Sequence, residues 1–181
     1  MTRLRGAPGV AARCLEFTML TAARTSEALL AEWREFDLDG AVWTVPAERM
    51  KGRQEHIVHL PPASVAALHA VQGLDARYVF PSTVLDKRPM SNMAMLATLD
   101  RLGMRDTTTV HGLRATFSTW AYETGAARGD VIEACLAHRE ADKIKAAYNR
   151  AQFVEERRAL LAAWAEYLDT PAAKVIPLRA A

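Results

Sequence analysis

Val110 to Tyr122 reads VHGLRATFSTWAY, and the rest of the chain can be arranged around it. His111 and Arg114 stand three residues apart, so on a helix they share a side. Leu113, Phe117, Trp120 and Ala121 recur at three- and four-residue steps and predict a buried stripe. Thr107 to Thr109 offer hydroxyls for an N-cap, which puts His111 and Arg114 in the first turn. Such a turn welcomes an anion. The plainer alternative for this segment alone is a surface histidine and arginine on an ordinary amphipathic helix.

Working towards the N-terminus, Gly9 to Ala23 predicts a helix carrying Leu15, Phe17, Met19 and Leu20. A second is expected from Thr25 to Trp33, with Arg24 at the junction and Glu27 one turn on. The pattern then changes to short alternating runs, Glu35 to Leu38 and Ala41 to Val45, separated by Asp39-Gly40, a strong hairpin signal. Pro46 to Gln54 is a polar turn with Arg49, Lys51 and Arg53, and His56 to Leu60 reads as a third strand. The expected fold class is α+β, mainly α-helical, with a small three-stranded antiparallel sheet whose last turn carries Lys51.

Further helices are expected from Pro61-Pro62 to Gln72, from Ser91 to Gly103 and from Val131 to Ala137, with His138 at the end of the last. Tyr78 to Phe80 reads as a brief extended piece. Phe153 to Leu168 reads as a long helix with Leu160, Leu161, Trp164 and Leu168 at helical spacing, and its Glu155 to Arg158 run as a solvated face. The apolar side of this helix is expected to pack on its own domain or on a neighbouring protomer. The tail after Pro171 has no strong pattern.

The chain's 181 residues suit one domain, and half of them are hydrophobic, so a core needs no staples. A net charge of +2 does not by itself announce a nucleic-acid binder, although a local basic surface remains open. Cys14 and Cys135 both fall in apolar helical patterns and read as buried free thiols of a reducing compartment. Cys135 and His138 alone are too few for a metal site. No apolar run reaches the roughly 18 residues of a membrane span, and no signal core follows the first residues. The expectation is a soluble cytoplasmic protein that uses no cofactor and no metal.

The polar residues at special places are Arg24, Lys51, His111, Arg114, His138 and Tyr148. Two guanidiniums can grip a phosphodiester and stabilise charge developing at phosphorus. A tyrosine can be a covalent nucleophile, a lysine can protonate a leaving oxygen, and a histidine can relay a proton. His56, His59 and His69 receive no role here; the default for His59 is a packed or surface ring.

In this order and spacing the set resembles the catalytic domain of the tyrosine recombinases, the phage integrase superfamily. The carrying segments are LTAARTSEALLAEW for Arg24, ERMKGRQEHIVHL for Lys51, HGLRATFSTW for His111 and Arg114, CLAHRE for His138 and AAYNRAQFVEERRALLAAWAEYL for Tyr148. The details are most similar to integrases of satellite prophages and genomic islands. Two departures stand out: Ala22 where the family usually has glycine, and Ala137 where glycine usually precedes the histidine.

The resemblance implies the tyrosine recombinase catalytic-domain fold and attack of Tyr148 on a scissile phosphate, giving a 3′-phosphotyrosyl intermediate. Arg24 and Arg114 would hold the non-bridging oxygens and His138 would hydrogen-bond the phosphate. Lys51 would be the general acid, with His111 assisting proton transfer. It implies duplex DNA carrying an attachment-site core as substrate, a homotetramer on DNA, and host DNA-bending factors as partners; without DNA the chain could be a monomer or an assembly. The catalytic domain is expected over residues 1–170 with a tail at 171–181. The family's N-terminal core- and arm-binding domains do not fit in the residues before Gly9, so either an excised catalytic domain or a truncated gene product is expected, the first being favoured. Two competing readings are a catalytically inactive DNA-binding remnant and a type IB topoisomerase.

Overall fold

The computed structural model describes residues 1–138 and 153–170. A short helix, α1 (Thr2–Arg5), leads into α2 (Val10–Thr21), the central helix. Ala12, Cys14, Leu15, Phe17 and Leu20 of α2 are all buried, so helices pack on it from several sides. Its end is set by Ala22, which takes a left-handed conformation.

The next helix, α3 (Thr25–Leu29), is shorter than the expected Thr25 to Trp33. Tertiary pairing overrides propensity here. Val79 N donates to Ala31 O at 2.9 Å and Trp33 N to Arg77 O at 2.9 Å, so residues 31–33 run extended beside the Tyr78 segment. Arg77 and Arg34 both pair with the Glu32 carboxylate at the same place.

The predicted sheet is present: β1 (Phe36–Asp37), β2 (Val42–Val45) and β3 (His56–His59), antiparallel in the order β1-β2-β3. The register pairs Phe36 with Trp43 and Val45 with His56. The first hairpin is not a tight Asp39-Gly40 turn. Asp37 turns back to accept from Gly40 N at 2.9 Å, and Ala41 carries the positive φ of 51°. A Cβ at Gly40 would meet Asp37 Oδ2 at 2.3 Å, so a side chain there would displace the Asp37 carboxylate from this turn.

Helices α4 (Pro62–His69), α5 (Asn92–Arg101), α6 (Val110–Glu123), α7 (Gly129–Cys135) and α8 (Val154–Asp169) complete the described chain. The predicted caps are real at α5 and α6: Ser91 Oγ accepts from Met93 N, and Thr109 Oγ1 from Gly112 N. Two aromatic clusters mark the core. Phe17 meets Trp43 at 5.2 Å and Phe80 at 5.5 Å between α2 and the sheet. Phe117 meets Trp164 at 5.5 Å between α6 and α8, and the Trp164 indole donates to Met19 O of α2 at 2.8 Å.

Leu160, Leu161 and Trp164 of α8 are therefore buried within their own chain, which decides between the two docking expectations for this helix. Cys14 and Cys135 are buried free thiols, as expected, and desolvation raises the pKa of both, that of Cys135 to about 11. No helix among the described residues is long and apolar enough to cross a membrane.

Candidate functional site

Arg24 is the N-cap of α3. Glu27 closes the capping box by accepting from Arg24 N at 2.9 Å with one oxygen, and grips Arg24 Nη1 at 2.7 Å with the other. Glu27 is thus the residue that aims the guanidinium. It is itself held from the sheet side. The Trp43 indole donates to Glu35 at 3.0 Å, Glu35 pairs with Arg49, and Arg49 donates to the backbone carbonyl of Glu27. Arg49 flanks the lysine turn in sequence but serves this brace, with its side chain largely buried.

Arg114 arrives from the first turn of α6. A Cβ at Gly112 would lie 3.0 Å from Thr108 Oγ1 and 3.3 Å from Thr109 Oγ1, so a bare glycine keeps the capping hydroxyls in place. His111 and Arg114 do not share an environment: His111 is exposed, whereas Arg114 is only 6% exposed. The arginine is drawn inwards because its guanidinium donates to Ala22 O and Leu136 O. Arg24 Nη2 donates to Leu136 O at 3.3 Å and Ala137 O at 3.1 Å. Two cations from distant elements thus converge on the carbonyls that end α7.

That convergence opposes itself electrostatically. Burial, and then the neighbouring Arg24, lower the pKa of Arg114 to about 10, against the favourable carboxylates of Glu27 and Glu133. Arg114 remains a cation at neutral pH. An anion placed between the two guanidiniums would relieve the repulsion and use fork donors suited to phosphate oxygens.

His138 follows the Schellman turn that closes α7. His138 N donates to Glu133 O at 3.0 Å, Ala137 N to Ala134 O at 3.2 Å, and Ala137 has φ 47°. The His138 ring is half exposed, with Nδ1 at 2.7 Å from Glu133 Oε2. Lys51 is exposed in the turn before β3. Tyr148 lies outside the described residues.

Reading from sequence missed residues beneath the arginine pair. His56 is buried at the start of β3; burial, then Arg157, push its pKa down to about 4, so the ring is neutral at pH 7. Arg157 is the correction to the solvated face expected for Glu155 to Arg158: it is 7% exposed and donates to Ile57 O on β3. The signal was present, because Arg157 lies three, four and seven residues before Leu160, Leu161 and Trp164, on the buried stripe. His59, expected as a packed or surface ring, is buried. No group of three or more possible metal ligands occurs among the described residues.

A sequence model of the phage integrase family matches residues 5–155. The chain is 37% identical over 157 residues to the prophage integrase IntA of Escherichia coli K12, an alignment covering 85% of this chain and 38% of IntA. It is 38% identical over 159 residues to the prophage integrase IntZ of the same organism, covering 86% and 39%. To the integrase of Enterobacteria phage P4 it is 32% identical over 181 residues, covering 91% and 41%. The chain spans about two fifths of the length of these relatives. The crystal structure of XerA recombinase aligns with a TM-score of 0.53 at 19% identity, covering 89% of this chain and 62% of that one, a likeness of fold.

Proposed function

The chain belongs to the phage integrase family, and from that premise we propose that it is the catalytic domain of a site-specific DNA recombinase. It cleaves and rejoins duplex DNA through a 3′-phosphotyrosyl intermediate. The observation that carries this reading is the meeting of Arg24 and Arg114 at the Leu136 carbonyl, beside His138. A binding remnant has no use for two like charges held together at this cost, one of them desolvated. A type IB topoisomerase would use the same chemistry without pairing two sites, and the similarity to integrases favours the recombinase.

In this reading Tyr148 attacks the scissile phosphorus. The new bond is phenol oxygen to phosphorus, and the bond to the 5′-oxygen breaks. His111 takes the phenol proton, and Lys51 gives one to the leaving 5′-oxygen. Arg24, Arg114 and His138 hold the non-bridging oxygens; each such donor is typically worth about 3–4 kcal/mol in the barrier. The covalent link keeps the phosphodiester energy, so a second strand rejoins without a nucleotide cofactor. Residues 1–170 form the catalytic domain, with residues 171–181 as its tail. The protein acts in the cytoplasm on a chromosomal attachment-site core, as a homotetramer with host DNA-bending factors.

Covalent trapping tests the reading. The chain is mixed with a pool of nicked duplexes of randomised sequence, so that the cleaved fragment diffuses away, and adducts are resolved on a denaturing gel. A protease-sensitive adduct that Tyr148→Phe abolishes is expected. DNA binding with no adduct would overturn the reading in favour of the binding remnant.

A further inference from the structure

Glu133 holds His138 twice. Its backbone carbonyl accepts the His138 N–H through the Schellman turn at 3.0 Å, and its carboxylate Oε2 lies 2.7 Å from His138 Nδ1. Its other oxygen, Oε1, accepts from the Tyr122 hydroxyl at 2.9 Å. Tyr122 comes from the last turn of α6, the helix that begins with His111 and Arg114. Its ring packs over Gly129 at the start of α7, where a Cβ would meet Tyr122 Oη at 3.4 Å. Partial burial and the Glu133 carboxylate raise the phenol's pKa, which keeps Tyr122 a donor. The carboxylate also favours the charged form of Arg114. One side chain thus touches the histidine and bears on the buried arginine.

We propose that Glu133, steadied by Tyr122, is a positioning residue that fixes the His138 imidazole with its proton on Nδ1 and Nε2 turned outwards to the phosphate. The assignment rests on the recombinase reading above. Its chemistry is specific. A carboxylate oxygen only accepts, so the ring nitrogen facing it must carry hydrogen. A further proton taken up by the ring then sits on Nε2, the atom able to donate to a phosphate oxygen. Without Glu133, a free neutral imidazole favours the opposite tautomer, with hydrogen on Nε2. The carboxylate-to-histidine arrangement fixes ring orientation here as outer partners do around ligating histidines.

The test has two independent readouts on the full chain. The first is ¹⁵N ring NMR at a pH where the imidazole is neutral, with the His138 signals identified by their loss in His138→Asn. The Nδ1–H tautomer is expected in the wild type and in Tyr122→Phe, and the Nε2–H tautomer in Glu133→Ala. The second is the single-turnover rate of covalent adduct formation on a nicked duplex recovered from the randomised pool. Glu133→Ala is expected to slow it about tenfold, Glu133→Gln, which can still accept from Nδ1–H, to restore most of it, and Tyr122→Phe to fall between. An Nε2–H ring in the wild type, or an unchanged tautomer in Glu133→Ala, overturns the proposal. A switched tautomer with an unchanged rate overturns the positioning role while wild-type adduct upholds the recombinase reading. A wild-type chain that forms no adduct removes both.

Discussion

Arg114 and His56 are subject to the same electrostatic balance. Both are buried, and for both the folded state resists the proton: Arg114 because it is desolvated and then because it sits beside Arg24, His56 because it is desolvated beside Arg157. For the arginine this leaves the charge intact at any physiological pH. For the histidine it produces acid sensitivity. His56 binds its proton near pH 6.5 when unfolded and near 4 when folded. The unfolded chain is therefore the better proton acceptor, and stability is lost as pH falls from about 6.5 towards 4. The shift corresponds to about 3 kcal/mol over that window. The groups that bear on the ring are Arg157 of α8, Glu27 of α3, Arg114 of α6 and Arg24; only Glu27 favours its protonation. His56→Gln should flatten the decline in the urea midpoint between pH 7 and 4.5 relative to wild type. An equally steep decline in the variant would assign the acid sensitivity to other groups, His59 first among them, whose pKa is also lowered by burial.

The elements meet at the site through their ends, and two of those ends are made by alanine in a conformation that suits glycine. Ala22 closes α2 with φ 49° and Ala137 closes α7 with φ 47°. Both positions were visible in sequence as departures from the family's glycines, and their cost is backbone strain. Ala137→Gly should stabilise the fold by about 1 kcal/mol, after allowing for the added freedom of the unfolded chain. Denaturant unfolding would read this, and no gain would mean the turn is held without strain. The opposite change at the start of α6, Gly112→Ala, crowds Thr108 and Thr109 and should cost about 1 kcal/mol through the cap. Helices with a periodic stripe and a capping hydroxyl were legible from the residues alone, as α5 and α6 are. The end of α3 was not, because it is decided by pairing with residues 77–79. Arg157 could have been found from the stripe of α8. Glu133 could not, since its role depends on a turn that brings a residue five positions on back against it.

At the scale of the whole molecule, net charge is a poor guide to what the surface does. The chain carries only +2, yet two of its arginines converge at one place, while others are spent on internal pairs. Arg5 is one of the latter: it pairs with Glu16 and with Asp169 at the far end of α8. Twelve residues of that helix, about 18 Å, separate Asp169 from Arg157 beside β3. Phosphate contacts made by the site should therefore govern the salt dependence of DNA binding, because each releases a counterion whatever the global charge. In binding titrations over a salt series, Arg114→Gln should weaken affinity across sequences and reduce the slope of log K against log salt by about 1. Arg24→Gln should do the same, and Arg5→Gln, which keeps a hydrogen-bond donor at Glu16, should leave the slope unchanged. If Arg5→Gln flattened the slope as much as Arg114→Gln, DNA would be held by diffuse surface charge, and the guanidinium pair would have to be explained as a structural tie between α2, α6 and α7. Loss of slope confined to Arg24 and Arg114 would instead mean that these three helix ends are brought together to hold a phosphate.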